Sequence, residues 1–285
     1  MARCLAAGVG GVALLLAALP GAATPLLIRD ARLIDGTGAP PRDHVSILVR
    51  DGRIAAIGSD LAAGDAVVLD AAGATVLPGL IDSHVHFIAA PGGAFRHDSP
   101  DALRELNRQH LRAYVACGVT TVLDAGIDPP VARDIQTWLA AGHPGPRFLT
   151  TGPYVRPAGG YGWPGFGAET TPAEVEAKLD LISALGGAGI KLAIEAGLNP
   201  MASLGGFSPE LRTAILDGAA RRHLPLYIHA TTETAQRAAL EDWHAHAIMH
   251  PVLGGTWTGA FGTPADLSED FVRRMKASCD PSGEN

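Results

Sequence analysis

The spacing of hydrophobic and polar positions changes near residue 77, so the chain divides into two kinds of predicted structure. Before that point, apolar and polar residues alternate in short runs, and Asp51 with Gly52 gives a hairpin turn signal between two of them. Alternation of period two places successive side chains on opposite faces of a strand. Residues 24–76 are therefore predicted to form a small N-terminal antiparallel β-sandwich segment. The predicted strands are 27–34, 45–50, 53–58 and 66–70.

From residue 77 to residue 285, short apolar runs alternate with helical patterns. Helix starts are indicated at Ser99, Thr171, Ser208 and Ser268, and Thr171 with Glu174 has the spacing of a capping box. Repeated β-α units predict a parallel sheet. Because no glycine-rich phosphate turn follows the first strand, the predicted fold class is α/β, an incomplete (β/α)8 TIM-type barrel of about six strands, rather than a doubly wound sheet. The strands are predicted to end at or near Phe87, Asp124, Gly152, Ala193, His229 and His250.

Two histidines, His84 and His86, stand at the end of the first predicted barrel strand. Residues two apart on a strand point to the same face, so the two imidazoles lie side by side. Imidazole is a common ligand of zinc and similar divalent metals. The two residues taken alone are equally compatible with polar side chains at a strand-to-loop junction that bond to backbone or water.

Three further residues favour the metal interpretation. His229 and His250 close the fifth and sixth predicted strands, and Lys191 lies in the otherwise apolar fourth strand. The carboxyl ends of barrel strands are where active sites lie. A buried lysine is costly unless something compensates its charge, although a lysine at a strand end can also extend to solvent. The joint pattern predicts a metal site made by His84, His86, Lys191, His229 and His250.

Composition and charge narrow the function classes. The 285 residues are 47% hydrophobic with 35 Gly and 21 Pro, which is typical of a globular chain rich in turns. A formal charge of −7 without a basic cluster argues against nucleic-acid or anionic-membrane partners. Cys117 is expected in the core, and too few cysteines follow the N-terminal segment to define a disulfide framework.

The first 23 residues are typical of a secretory signal peptide, with Arg3, an apolar run over 5–19 and small residues at 21–23. The apolar run is short for a membrane span, although a retained N-terminal anchor is the alternative. The expected location is secreted or periplasmic, without membrane association after cleavage.

These motifs resemble the amidohydrolase superfamily, in particular secreted or periplasmic members related to imidazolonepropionase and to prolidase-type metallo-dipeptidases. The most specific stretch is 77–86, which runs from a Pro-Gly-Leu-Ile-Asp sequence into His84 and His86. Supporting stretches are 35–38, 51–54, 118–121, 190–191, 228–230 and 249–250.

The resemblance implies a role for each ligand candidate. His84 and His86 would bind the more buried metal, and His229 and His250 the second. Lys191, carboxylated by carbon dioxide, would bridge the two ions as a carbamate. Zinc is favoured, with iron, manganese or cobalt as alternatives. A hydroxide activated by the metals would attack the carbonyl carbon of a small-molecule amide, cyclic amide or dipeptide, and the C–N bond would then break. An oligomer is possible.

Further predictions concern substrate contacts and the remaining histidines. Tyr161 and Trp163, in a loop after the third strand, are candidate substrate contacts, although a glycine-rich surface loop is the alternative. His246 and His244 are expected at the surface or in support of the site, and relatives usually have Gly where His244 stands. The histidines expected to lack a catalytic role are His97, His110, His143 and His223.

In the family, an aspartate at the end of strand eight binds metal and transfers protons. The sequence contains no strand eight, so the catalytic residue stays unknown and the chain is expected to be C-terminally truncated and inactive or impaired. One alternative is a secreted metal-binding or ligand-binding protein without catalysis. Another is an assembly in which a second chain supplies the missing strands.

Overall fold

The computed structural model describes residues 24–87, 99–158, 160, 167–194, 206–250 and 268–278. The chain divides into two compact units, Met1–Pro78 and Gly79–Asn285. The predicted signal peptide at 1–23 lies outside the described residues. Within the described ranges, no helix combines the length and the apolar character needed to cross a bilayer.

The first unit contains one mixed β-sheet among its described residues. The strands are β1 (Leu26–Leu33), β2 (Arg42–Arg50), β3 (Arg53–Gly58), β4 (Val67–Asp70) and β5 (Thr75–Val76). The order is β3-β2-β1-β4, and β5 also pairs with β1. β1 and β3 run antiparallel to β2, whereas β4 and β5 run parallel to β1. The prediction of a purely antiparallel segment was therefore wrong for β4 and β5, because the chain crosses over before each of them.

The second unit alternates strands and helices. Its strands are β6 (Leu80–Val85), β7 (Val119–Asp124), β8 (Arg147–Thr150), β9 (Ile190–Ala193), β10 (Leu226–His229) and β11 (Ala247–Ile248). Its helices are α1 (Pro100–Ala116), α2 (Pro129–Ala140), α3 (Pro172–Ala184), α4 (Pro209–Arg222), α5 (Glu233–Glu241) and α6 (Glu269–Ser278).

The six strands of this unit form two parallel sheets of three, in the orders β6-β7-β8 and β9-β10-β11. An isolated parallel bridge between Val155 and Leu192 joins the two sheets next to β8 and β9. The arrangement is a mixed α/β fold that corresponds to part of a (β/α)8 barrel, and the described strands do not close it.

Local sequence signals account for the helix starts. The side chains of Ser99, Thr171 and Ser208 accept hydrogen bonds from backbone N–H groups of the first turn, and a proline follows each of them. The capping box of Thr171 and Glu174 is complete, since each side chain bonds the other residue's backbone N–H. These starts confirm the pattern-based prediction.

The core of the second unit lies between the sheets and their helices. Around β9 and β10 it contains the fully buried Leu179, Ile190, Leu192, Ile215 and Ile228. Because apolar contacts fill the space between strands and helices, polar side chains at the strand ends are left to face the carboxyl edge.

The expectation that Cys117 is a core residue was wrong. Cys117 is exposed and is the C-cap of α1, where the turn at Gly118 leads the chain into β7. The apolar pattern of the helix ends before this position, so the side chain points away from the core.

Candidate metal centre

Four imidazole rings, those of His84, His86, His229 and His250, lie together and are called here the imidazole cluster. The ring centroids are 5.1 Å apart for His84 and His86, 4.8 Å for His84 and His250, and 4.4 Å for His229 and His250. His84 belongs to β6 and His229 ends β10, while His86 directly follows β6 and His250 lies two residues after β11. The structure thus brings together all four histidines that the sequence analysis placed at strand ends.

Backbone carbonyls determine which nitrogen of two of these rings carries the hydrogen. Nδ1 of His84 lies 3.0 Å from the carbonyl oxygen of Met249, and Nδ1 of His86 lies 3.3 Å from that of Gly126. A carbonyl only accepts, so Nδ1 donates in both rings and Nε2 keeps its lone pair. The two Nε2 atoms face each other at 3.2 Å.

This separation fits a shared cation. Two nitrogens bound to one tetrahedral zinc at about 2.0–2.1 Å stand about 3.3–3.4 Å apart. Without a cation, two lone pairs at 3.2 Å repel each other. Across the described residues, no three His, Cys, Asp or Glu side chains are arranged to hold one ion. Among the described residues, the candidate donors are therefore the facing pair His84 and His86 and the neighbouring rings of His229 and His250.

Lys191 supplies the remaining predicted group. It lies on β9 opposite Tyr227 of β10, so it shares a sheet face with His229 two residues further on. Its side chain is 2% exposed, and Nζ has no hydrogen-bond partner among the residues that the structure describes. The alternative of a lysine that extends to solvent is excluded by this burial. Burying an amine without a hydrogen-bond partner is costly, so this position fits a lysine that a bound group would compensate.

Burial also sets the protonation of the cluster. It lowers the pKa of His84, His86 and His250 to about 4 and that of His229 to about 2, and the positive charge of Lys191 contributes to each. Burial lowers the pKa of Lys191 to about 7. At neutral pH the imidazoles are therefore uncharged, which is the form that binds metals.

The sequence matches a known protein family. The sequence model of the Amidohydrolase family matches residues 75–255. The chain belongs to the amidohydrolase family. An enamidase of Eubacterium barkeri is 43% identical over 84 residues, which are 28% of this chain and 19% of that protein. A dihydroorotase of Syntrophotalea carbinolica is 38% identical over 79 residues, 28% of this chain and 18% of that protein.

Solved structures give the same fold. A crystal structure of an amidohydrolase is 26% identical, with a TM-score of 0.65, over 76% of this chain and 59% of that one. A Xaa-Pro dipeptidase with bound methionine is 24% identical, with a TM-score of 0.64, over 76% and 59% of the two chains. Molinate hydrolase is 19% identical, with a TM-score of 0.70, over 90% and 62%. This amidohydrolase chain thus spans about three fifths of the solved relatives' length, and its matches to the two curated relatives span less than a fifth of theirs.

Two residues of the centre were not predicted from the sequence. Asp124 ends β7 with no exposed surface, and its carboxyl oxygens accept the N–H groups of Phe87 and Gly126, both at 2.8 Å. Burial raises the pKa of Asp124 to about 8, although the two N–H donors oppose this. The hydroxyl of Tyr154 lies 3.4 Å from Nε2 of His86. A polar residue ending a buried strand was a usable signal for Asp124, whereas nothing in the pattern distinguishes Tyr154.

The other histidines lie away from the cluster or outside the described residues. His246 is exposed and accepts the N–H of Leu226 at the start of β10, and His244 is exposed with φ of 50°, a conformation that favours glycine. His143 stacks on Trp138, and His223 is the C-cap of α4. Tyr161, Trp163 and His97 lie outside the described residues, so their predicted roles stay predictions.

Proposed function

We propose that this chain carries the metal centre of a hydrolase that cleaves C–N bonds of small molecules with two divalent metal ions. In this proposal His84 and His86 would hold one ion, His229 and His250 would hold the other, and carboxylated Lys191 would supply an anionic ligand. The observation that carries the proposal is the convergence of four neutral imidazoles at the strand ends, with a buried amine on the same sheet face as His229.

The surroundings of Lys191 support its proposed carboxylation. Carbon dioxide reacts with a neutral amine, and the lowered pKa of Lys191 leaves a large neutral fraction at physiological pH. The amine nitrogen forms a bond to the carbon of carbon dioxide and releases one proton, which leaves an anionic carbamate. The anion offers oxygen ligands and offsets part of the charge of two cations, which a protonated lysine cannot do.

The chain's own residues fix the geometry for this chemistry. The carbonyls of Met249 and Gly126 hold two rings with Nε2 directed at a common point. When bound, divalent ions lower the pKa of water and polarise a carbonyl oxygen. The Tyr154 hydroxyl lies beside the same nitrogen of His86 and is placed to donate a hydrogen bond to a substrate oxygen. The substrate class is a small amide, cyclic amide or dipeptide, in line with the enamidase, dihydroorotase and Xaa-Pro dipeptidase among the similar proteins.

The proposed function also includes the identity of the metal and the location of the protein. Zinc is the proposed metal because the ligands are imidazoles, with iron, manganese and cobalt as alternatives. Residues 1–23 are proposed as a signal peptide, which would place the protein outside the cytoplasm.

Metal content tests the centre directly. The chain is saturated with zinc in bicarbonate buffer, passed over a desalting column and analysed by mass spectrometry of the metal. We expect about two zinc ions per chain, fewer in the double variant His84→Asn with His86→Asn, and a strong loss in Lys191→Met. His143→Asn is the matched control, since that ring stacks on Trp138 away from the cluster, and it should retain the metal. A wild-type chain without bound divalent metal would contradict the proposal.

Hydrolysis tests the reaction. The zinc-loaded chain is incubated with a dihydropyrimidine, a hydantoin, a simple amide and an Xaa-Pro dipeptide, and product release is measured with and without chelator. Chelator-sensitive hydrolysis of any of them supports the hydrolase. Stable zinc binding without turnover on the panel would favour the alternative, a metal-binding protein without catalysis.

A further inference from the structure

The buried carboxyl group of Asp124 connects two neighbouring segments of backbone. One oxygen accepts the N–H of Phe87, the residue directly after His86, and the other accepts the N–H of Gly126, each at 2.8 Å. The side chain has no solvent exposure. Burying a carboxyl group is costly, so a residue of this kind at the end of a strand calls for a reason.

Gly126 completes the connection to His86. Its carbonyl oxygen accepts the Nδ1–H of His86 at 3.3 Å. Its φ of 153° and the ring of Tyr154 leave room only for glycine, since a Cβ would stand 2.1 Å from Cε1 of Tyr154. The position of His86 is therefore fixed by the backbone of Phe87, the next residue, and by the carbonyl of Gly126. The N–H groups of both Phe87 and Gly126 donate to Asp124.

The neighbouring strand shows that a turn of this kind does not require a carboxyl group. At the end of β8, the hydroxyl of Thr150 accepts the N–H of Gly152 at 2.8 Å, which is the same bond between residues two apart. A neutral hydroxyl suffices there because it has one N–H to satisfy. At β7 the second oxygen of Asp124 is needed for Phe87, beside the imidazole cluster.

We propose that Asp124 is a positioning residue for metal binding, which acts through the backbone of Phe87 and Gly126 to direct Nε2 of His86 toward Nε2 of His84. The inference rests on the proposed metal centre. Groups that orient a ligand histidine typically change metal affinity by about 10–100-fold when removed.

The test is zinc affinity, measured by competition with a chelator, together with the visible spectrum of the cobalt-substituted chain. Asp124→Asn has nearly the same shape but one acceptor oxygen, so one N–H faces the amide NH₂ group. We expect about 10–100-fold weaker zinc binding and a changed cobalt spectrum in this variant. Thr150→Val is the matched control, because it removes the equivalent turn bond at β8, and its affinity should stay within about threefold of wild type.

The outcomes separate the inference from the proposed function. If wild type binds zinc and Asp124→Asn binds it equally well with an unchanged cobalt spectrum, only the inference is overturned. If wild type binds no metal, both fail. If Asp124→Asn does not fold, amide hydrogen exchange of the wild-type chain decides: slow exchange at Phe87 and Gly126, and an Nδ1–H tautomer of His86 in nitrogen NMR, support the inference. Fast exchange at Phe87 overturns it.

Discussion

Replacement of Lys191 by methionine should stabilise the metal-free chain. Lys191 is 2% exposed and its Nζ has no hydrogen-bond partner within the described ranges, so its ammonium form is strongly disfavoured in the folded state. Methionine has a similar length and fills the same space without a charge. A residue kept for function at the expense of stability is expected to behave in this way.

The magnitude follows from the two proton affinities. The pKa of Lys191 is lowered by burial from its usual 10.5 to about 7. Each factor of ten between the folded and unfolded proton affinities corresponds to about 1.4 kcal/mol, so the lysine lowers the stability by roughly 4 kcal/mol at pH 7.

The sign of the pH dependence is specific to this cause. Between pH 7 and 10.5 the unfolded chain keeps a proton on Lys191 that the folded chain has lost. Stability therefore rises with pH across this window in the wild type. The contribution is absent from Lys191→Met, so the advantage of the variant should shrink toward pH 10.5.

The assay is urea unfolding followed by tryptophan fluorescence, in buffer free of metal and carbon dioxide, at pH 7 and pH 10. Lys178→Met is the matched control, because Lys178 forms an ion pair with Glu169, which is 3% exposed. That variant leaves a buried carboxylate without its cation and should lose about 3–5 kcal/mol. A Lys191→Met chain that is less stable than wild type at pH 7, or a difference equal at both pH values, would refute the reasoning.

Three further predictions concern stability. The imidazole cluster has its pKa values lowered by burial, so between pH 6.5 and about 4 only the unfolded chain binds these protons, and the metal-free chain should lose stability as the pH falls. Burial raises the pKa values of Asp124 and Glu169, which act oppositely but are two groups against four. Thermal unfolding from pH 7 to 5 measures the slope, which should be shallower in the double variant His84→Asn with His86→Asn than in wild type. Thr171→Ala removes a complete capping box and should cost about 1 kcal/mol in urea unfolding without change in zinc content. Leu179→Ala, at a fully buried site, should cost roughly 2–5 kcal/mol in the same assay, and a smaller loss would mean that the site collapses around the cavity.

Much of the second unit was predictable because its signals are local. The caps at Ser99, Thr171 and Ser208 lie within three residues of the N–H groups that they accept, so the sequence contains the whole interaction. β10 is a short apolar run that ends at the polar His229. The ligand candidates followed from the same logic, since parallel strands bring their carboxyl ends to one edge.

The remaining features depend on contacts between distant residues. β4 and β5 pair in parallel with β1. The alternation of apolar and polar residues along one strand does not determine which strand it pairs with or in which direction. The bonds of Asp124 reach Phe87, 37 residues away, and end on a backbone N–H that every residue but proline has. Tyr154 and His86 are 68 residues apart, and their contact likewise produces no periodic pattern in the sequence.

The position of the imidazole cluster relates the site to the fold. β6 and β11 are the outer strands of the two parallel sheets, while β8 and β9 approach each other at the bridge from Val155 to Leu192. Across the outer edges, the ring of His84 on β6 donates to the carbonyl of Met249, which follows β11. Among the residues that the structure describes, a side chain rather than a strand ladder connects the two sheets at this position. In the proposed metal centre, ligands from both sheets would make ion binding a link between them, so metal affinity and the stability of this unit would rise and fall together.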